Sequence, residues 1–276
     1  MFKSFFDFLN NTYYKHSKHF MKLVNNATFI KCFQFVKFHL FQKQHNVNFY
    51  RQNAERINGI LNILADEKSK HTYSAIIKFR QTRSKKDFPS LYCSEMRYSI
   101  EEISFTNDEV FIDCGAYNGD TIDSFLENCS EYKKIIAFEP FNENFEELKR
   151  KYGNNPKITL INAGTYSKDG VVHFVGGAGS GKIFKGKDSE KFVTIPVKAI
   201  DNLNVDKVTF IKMDIEGAEK TIIKDKPKLA ICIYHSNDDM IDIIEYIHNL
   251  VPEYKLYVRQ HSTYPFYFDT VLYAFI

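Results

Sequence analysis

From Glu109 onward the chain alternates short apolar runs with longer amphipathic pieces, and this alternation is its strongest structural signal. The runs are Val110 to Cys114, Lys134 to Phe138, Ile158 to Ile161, Val208 to Met213 and Leu229 to Tyr234, and Lys255 to Val258 and Thr270 to Ile276 close the chain. Helical pieces over 120–130, 142–152 and 238–249 lie between them. Apolar strands interleaved with helices predict an α/β fold whose parallel sheet is covered on both faces. Val171 to Val175 and Phe192 to Val197 predict an exposed pair of strands joined by a glycine-rich loop.

Residues 1–100 carry a different pattern. They hold one glycine, Gly59, and one proline, Pro89, so turn signals are sparse and long helices are expected. A helix is predicted around Asn53 to Leu64. In Phe29 to Phe41, Phe29, Phe33, Val36 and Leu40 share one helical face while Lys31, Gln34 and Lys37 share another. Such a face could lie on an anionic membrane surface, with Lys meeting headgroups and Phe entering the interface, or pack on the rest of the protein or on a second subunit. The tract Arg80 to Lys86 has the look of a solvated linker. The division expected is a helical, basic, aromatic-rich extension over 1–100 and an α/β domain over 101–276.

Charge sharpens that division. The formal net charge is only +3, yet residues 1–100 hold 17 Lys and Arg against 6 Asp and Glu, and the remainder holds 20 against 28. A basic arm on an acidic domain suits phosphate, anionic lipid or an acidic partner. No base-reading element accompanies it, so no nucleic-acid partner is expected. The five cysteines show no C-x-x-C spacing and leave an odd one over, which argues against a disulfide framework and a zinc site. No signal peptide or spanning helix is read, so a cytoplasmic protein is expected, with peripheral contact at the inner face of the membrane through residues 1–45 as its one membrane role.

Candidate chemistry gathers at the carboxyl ends of the predicted strands. VFIDCGAYNGD, Val110 to Asp120, runs an apolar strand into Asp113 and a turn with Gly115 and Gly119. Glycine lets the backbone bend and approach a ligand closely, and the helix that follows offers free N–H groups. The spacing is not the dinucleotide fingerprint. The next strand ends in Glu139-Pro140, where an acid can accept hydrogen bonds from the vicinal hydroxyls of a cofactor ribose or, alternatively, serve the N-terminus of the helix after it. FIKMDIEGAE, Phe210 to Glu219, places Asp214 at a strand end with Glu216 two residues on. These carboxylates could orient a substrate hydroxyl, take its proton or hold a divalent cation, or Asp214 could simply cap a helix. His235 ends the next strand as a general base or as a polar surface residue. GGAGSGK, Gly176 to Lys182, matches G-x-x-x-x-G-K, but Ile183 replaces the Ser or Thr that would touch Mg²⁺ and no helix follows; a loop over the crevice fits better than a triphosphate site.

Taken in order, VFIDCGAYNGDT, AFEPFNENFEELK, INAGTYSKDG, VKAIDNL, IKMDIEGAE and LAICIYH resemble the FkbM family of S-adenosylmethionine-dependent methyltransferases over about residues 105–276. The resemblance implies a class I, Rossmann-like methyltransferase sheet with added antiparallel features at its end. It also implies O-methylation, often of sugar hydroxyls. Carried over residue by residue, Asp113, Gly115 and Gly119 line the methionine end of the cofactor, Glu139 takes its ribose, and Asn144 falls on the Asn of the family's E-P-x-x-x-N-F run. Asp214, Glu216 and His235 fall at the methyl-transfer end; no metal ligand is assigned. The chain departs from the family after Glu219, where a full helix is replaced by a short segment before Lys228. A parallel crossover needs about a dozen residues or more. The shortening keeps open an alternative function, a non-catalytic interaction protein on a methyltransferase fold.

Overall fold

The computed structural model describes residues 44–84, 86, 88, 93, 97–175, 182–183, 193–205, 207–213, 225–263 and 268–276. The expected amphipathic helix over Phe29 to Phe41, the arm 1–43, and Asp214, Glu216 and the segment 214–224 lie outside these residues.

A seven-stranded sheet forms the centre, in the order β10-β11-β9-β8-β1-β2-β3. β1 (Val110–Cys114) runs parallel to β2 (Lys134–Phe138) on one side and to β8 (Phe210–Met213) on the other. β3 (Ile158–Ile161) extends one edge in parallel, and β9 (Lys228–Cys232) pairs in parallel with β8. β11 (Thr270–Phe275) inserts antiparallel between β9 and the edge strand β10 (Lys255–Gln260). This is the α/β Rossmann-like sheet the sequence predicts. The segment between Met213 and Lys228 is short, yet it spans two parallel neighbours registered from Phe210↔Lys228 to Met213↔Ile231.

Every residue of β1 is buried, and alternation divides the two faces of the sheet between two cores. Ile112, Cys114, Ile211, Met213, Leu229 and Ile231 face α1 (Ala54–Ile63), α2 (Glu67–Thr82) and α5 (Asp239–Leu250). Phe111, Phe210, Ala230 and Cys232 face α3 (Asp120–Asn128) and α4 (Asn142–Tyr152). On that second face Phe111 stacks on Phe210 at 4.7 Å between centroids and meets Phe125 of α3 at 4.8 Å. Large rings packed in this way seat α3 against the middle of the sheet. A second, smaller sheet of β4 (Gly164–Thr165), β7 (Val193–Lys198), β5 (Gly170–Val175) and β6 (Lys182–Ile183) follows β3. The expected pair of strands is β5 with β7, antiparallel; Gly176 to Gly181 lie outside the described residues.

The region before the sheet corrects one sequence expectation. Arg80 does not belong to a solvated linker: it lies in the last turn of α2, only 3% exposed. Asp66 caps α2 by accepting from the Ser69 amide at 2.7 Å. The same carboxylate pairs with fully buried Arg259 of β10 at 2.7 Å, and Glu102 binds that guanidinium too. Burial alone would raise the Asp66 carboxyl, but the bonds from Arg259 and Ser69 outweigh it and hold the group below the ordinary range. Leu64 bridges Leu256 in parallel, so these helices join the β10 edge directly. The described cysteines, Cys93, Cys114, Cys129 and Cys232, are all buried. No helix among the described residues is long and apolar enough to cross a membrane.

At the amino end of β1, Glu109 is fully buried and accepts from Thr106, Thr209 and Lys228. Burial favours the protonated acid, yet those bonds win and keep Glu109 ionised below its usual range. A depressed carboxyl stabilises the fold above its unfolded pKa of about 4.3, and that contribution is lost as pH falls through the folded value. The melting temperature should therefore fall below about pH 4, and less steeply in Glu109→Gln. Lys228→Met should cost about 3–5 kcal/mol at neutral pH, because it strands the Glu109 charge; denaturant titration of both variants checks this.

Candidate active site

Two strand ends and one turn form the candidate site. β1 delivers Asp113 to the carboxyl edge of the sheet, and the chain then turns through Gly115 at φ 98°, Tyr117 at φ 47° and Gly119 at φ 89°. Three positive φ values within five residues need glycine at most positions, because Cβ opposes this region. The Gly115 and Ala116 amides donate to the Phe138 carbonyl at 3.0 and 2.8 Å, which holds the turn against the tip of β2. Gly119 is also fixed by packing. A Cβ there would lie 2.6 Å from Cε2 of Tyr152, whose hydroxyl donates to the Gly119 carbonyl at 3.0 Å.

Glu139 sits at the tip of β2 and is 3% exposed. Its Oε1 accepts from the Phe141 amide at 2.8 Å and from Asn144 Nδ2 at 3.3 Å, while Oε2 accepts from the Tyr117 amide at 3.0 Å. The carboxylate thus does both things the sequence allows: it serves the start of α4 and it reaches across to the glycine turn. Burial pushes its pKa up, against the opposing pull of those three donors. Asn144 is placed as a brace on Glu139. Asn162, just past β3, steadies the same tip by donating to the Glu139 carbonyl at 2.9 Å.

Asp113 is fully buried, and its partner is one that the sequence reading missed. Lys212 of β8, 2% exposed, lies 3.2 Å from Asp113 Oδ1 and donates to the Gly115 carbonyl at 2.9 Å. The two residues are paired in the β1–β8 register, and Lys212 also lies over the Tyr98 ring at 5.2 Å. A lysine inside the apolar run VTFIKM was the available signal, since a charge in a doubly covered strand needs a buried partner. Cys114 beside Asp113 is no nucleophile: burial pushes its thiol up to about 12.

Asp113, Gly115 and Gly119, in and just before the glycine turn, therefore stand beside Glu139 and Asn144 at the tip of β2, joined to them through the Tyr117 amide and the Phe138 carbonyl. His235 lies on the same carboxyl edge, in the loop after β9, half-buried with its ring 4.1 Å from that of Tyr234. β8 separates its strand from β1. Asp214 and Glu216 lie outside the described residues. Among the described residues no group of three His, Cys, Asp or Glu side chains could hold a metal ion.

The fold is similar to the crystal structure of methyltransferase FkbM from Methylobacillus flagellatus KT, at 26% identity and a TM-score of 0.69, over 83% of this chain and 60% of that one. The chain therefore spans about three-fifths of the length of that relative. Lesser likeness extends to precorrin-6y C5,15-methyltransferase from Geobacter metallireducens GS-15, at 13% identity, a TM-score of 0.37 and coverage of 68% and 99% of the two chains. It extends also to Aeropyrum pernix fibrillarin with natively bound S-adenosyl-L-methionine, at 13% identity, a TM-score of 0.35 and coverage of 62% and 69%. No curated protein matches by sequence. The model of the methyltransferase FkbM domain matches residues 113–260, more than half of the chain, from the buried acid of β1 to the end of β10, and the protein belongs to that family of methyltransferases.

Proposed function

We propose that the protein transfers a methyl group from S-adenosylmethionine to a hydroxyl, and that this hydroxyl belongs to a saccharide or glycan precursor. The observation that carries the cofactor half is the bond from the Tyr117 amide to Glu139, which joins the glycine turn of β1 to the acid of β2. A carboxylate has about four lone-pair sites. Among the described residues Glu139 Oε2 receives the Tyr117 amide alone, so it retains acceptor capacity for a ribose hydroxyl. The donor set fits the cofactor: an acid for the ribose, and beside it a turn whose glycines allow close backbone approach.

S-adenosylmethionine supplies, when bound, an electrophilic methyl on a sulfonium. The protein's own task is to align an acceptor oxygen and remove its proton, and alignment supplies much of the rate in such transfers. We assign proton removal to His235 or Asp214 and orientation of the acceptor to Glu216. Asp113 works from beneath the turn, since Lys212 holds it in the interior. The parallel pairing of β8 with β9 supports the catalytic assignment, because it keeps the ends of these two strands side by side. The saccharide acceptor rests on the family resemblance.

Isothermal titration should show S-adenosylmethionine binding in the micromolar range, and Glu139→Ala should abolish it while leaving the fold intact by circular dichroism. An unaltered affinity in that variant would remove Glu139 from the site. Because burial raises the Glu139 pKa, affinity should decline on acidification at a higher pH than an ordinary carboxylate would give. A Gly119→Ala change should cost about 1–3 kcal/mol of stability through its positive φ, with the added Tyr152 clash, and should weaken cofactor binding in the same titration. Transfer of radiolabelled methyl to a panel of saccharides tests the acceptor.

A further inference from the structure

We propose that Arg80, on α2 and outside the span matched by the FkbM model, is a positioning residue that sets the direction of His235; this rests on the proposed catalytic role of His235. The Arg80 guanidinium donates to the Tyr234 carbonyl and, at 2.8 Å, to the Ser236 carbonyl, so it grips the backbone on both sides of His235. It also donates to Asn237 Oδ1 at 3.2 Å. The same oxygen accepts from the Tyr50 hydroxyl at 2.9 Å, and Asn237 Nδ2 donates to Asn46 at 2.8 Å. Asn46 closes the ring by donating to the Arg80 carbonyl at 2.9 Å. Three stretches of chain, around residues 46–50, 80 and 234–237, are thereby locked to one another.

The far end of the loop is held as well. The Ser236 amide donates to Asp239 and the Asp239 amide to Ser236 Oγ, both at 3.0 Å, and the Tyr73 hydroxyl donates to the Met240 carbonyl at 3.0 Å. His235 thus sits between the Tyr234–His235 peptide, whose carbonyl Arg80 holds, and the His235–Ser236 peptide, whose amide Asp239 holds, with Arg80 again on the Ser236 carbonyl beyond. An arginine that is 3% exposed is an expensive way to fill space, since burying its charge costs several kcal/mol before its bonds are counted. A planar fork with several donors can hold two carbonyls at once in a fixed relation, which no apolar residue of similar volume can do. The chemistry of the cluster therefore matches orientation of a backbone segment better than packing.

Ring signals of the full-length protein labelled with ¹³C-histidine test this, with His235→Asn identifying the His235 resonance. In Arg80→Met that resonance should move and broaden, and in Arg80→Lys it should move less, because lysine restores a donor without the fork. Affinity for S-adenosylhomocysteine should stay within about twofold of wild type, since the glycine turn is two strands away. Asn237→Ala, which cuts the ring while keeping Arg80, is the second variant and should displace the signal in the same direction. A His235 resonance of wild-type position and width in a folded Arg80→Met protein, or in Asn237→Ala should the first not fold, overturns the proposal. A wild type that binds no S-adenosylhomocysteine would overturn the proposed function instead, and the histidine signal would still decide the role of Arg80.

Discussion

The buried ion pair between Asp113 and Lys212 is the constraint around which the centre of the molecule is arranged. Two charges taken out of water each lose several kcal/mol of hydration, and their attraction compensates only when remaining hydrogen-bonding capacity is also used. Here the Lys212 ammonium, 3.2 Å from Asp113, also donates to the Gly115 carbonyl. The pair therefore specifies the register of β1 against β8, because a slip of one residue would turn Lys212 to the opposite face. It also specifies the path of the turn, since the Gly115 carbonyl must come down to the ammonium. A glycine turn that could take many shapes is in this way held to one.

Glu139 completes that arrangement from the other side. Asp113 and Glu139 stand at neighbouring strand ends, yet their surroundings give them different work. Asp113 is enclosed and neutralised by a lysine, whereas Glu139 accepts three neutral donors and keeps a raised pKa. In the function proposed, the first acid underlies the site and the second meets the cofactor, its plane fixed by Asn144 and the Tyr117 amide.

The helices before the sheet belong to the same economy of buried polar groups. Arg259, fully buried in β10, is met by the cap of α2 and by Glu102, while Arg80 at the other end of α2 holds the loop after β9. One helix thus satisfies charge at an edge of the sheet and orders backbone at its carboxyl end. The apolar residues between, Tyr73, Ile76, Ile77 and Phe79, join the core shared by β8, β9 and α5. Cutting α2 away with its cap would expose that core and leave Arg259 with Glu102 but without Asp66.

The sequence alone determined the strands of the sheet, the helices α1, α3, α4 and α5, the glycine turn and the acid at the tip of β2. Each of these is written in neighbouring residues: an apolar run for a doubly covered strand, helical spacing for a helix, and glycine where φ must be positive. It also carried the family, through the order of its motifs. Helix α2 and the burial of Arg80 were not legible, because RQTRSKK, whose first three residues end the helix, reads as a solvated stretch until the partners of Arg80 appear 156 residues away in the loop after β9. Lys212 stands out as a charge inside an apolar run, but its partner did not, the Gly115 carbonyl lying 97 residues back. Local pattern reports which surfaces avoid water; only the tertiary structure decided which buried charges meet, because the free energy of a buried charge depends on a partner that folding alone brings within reach.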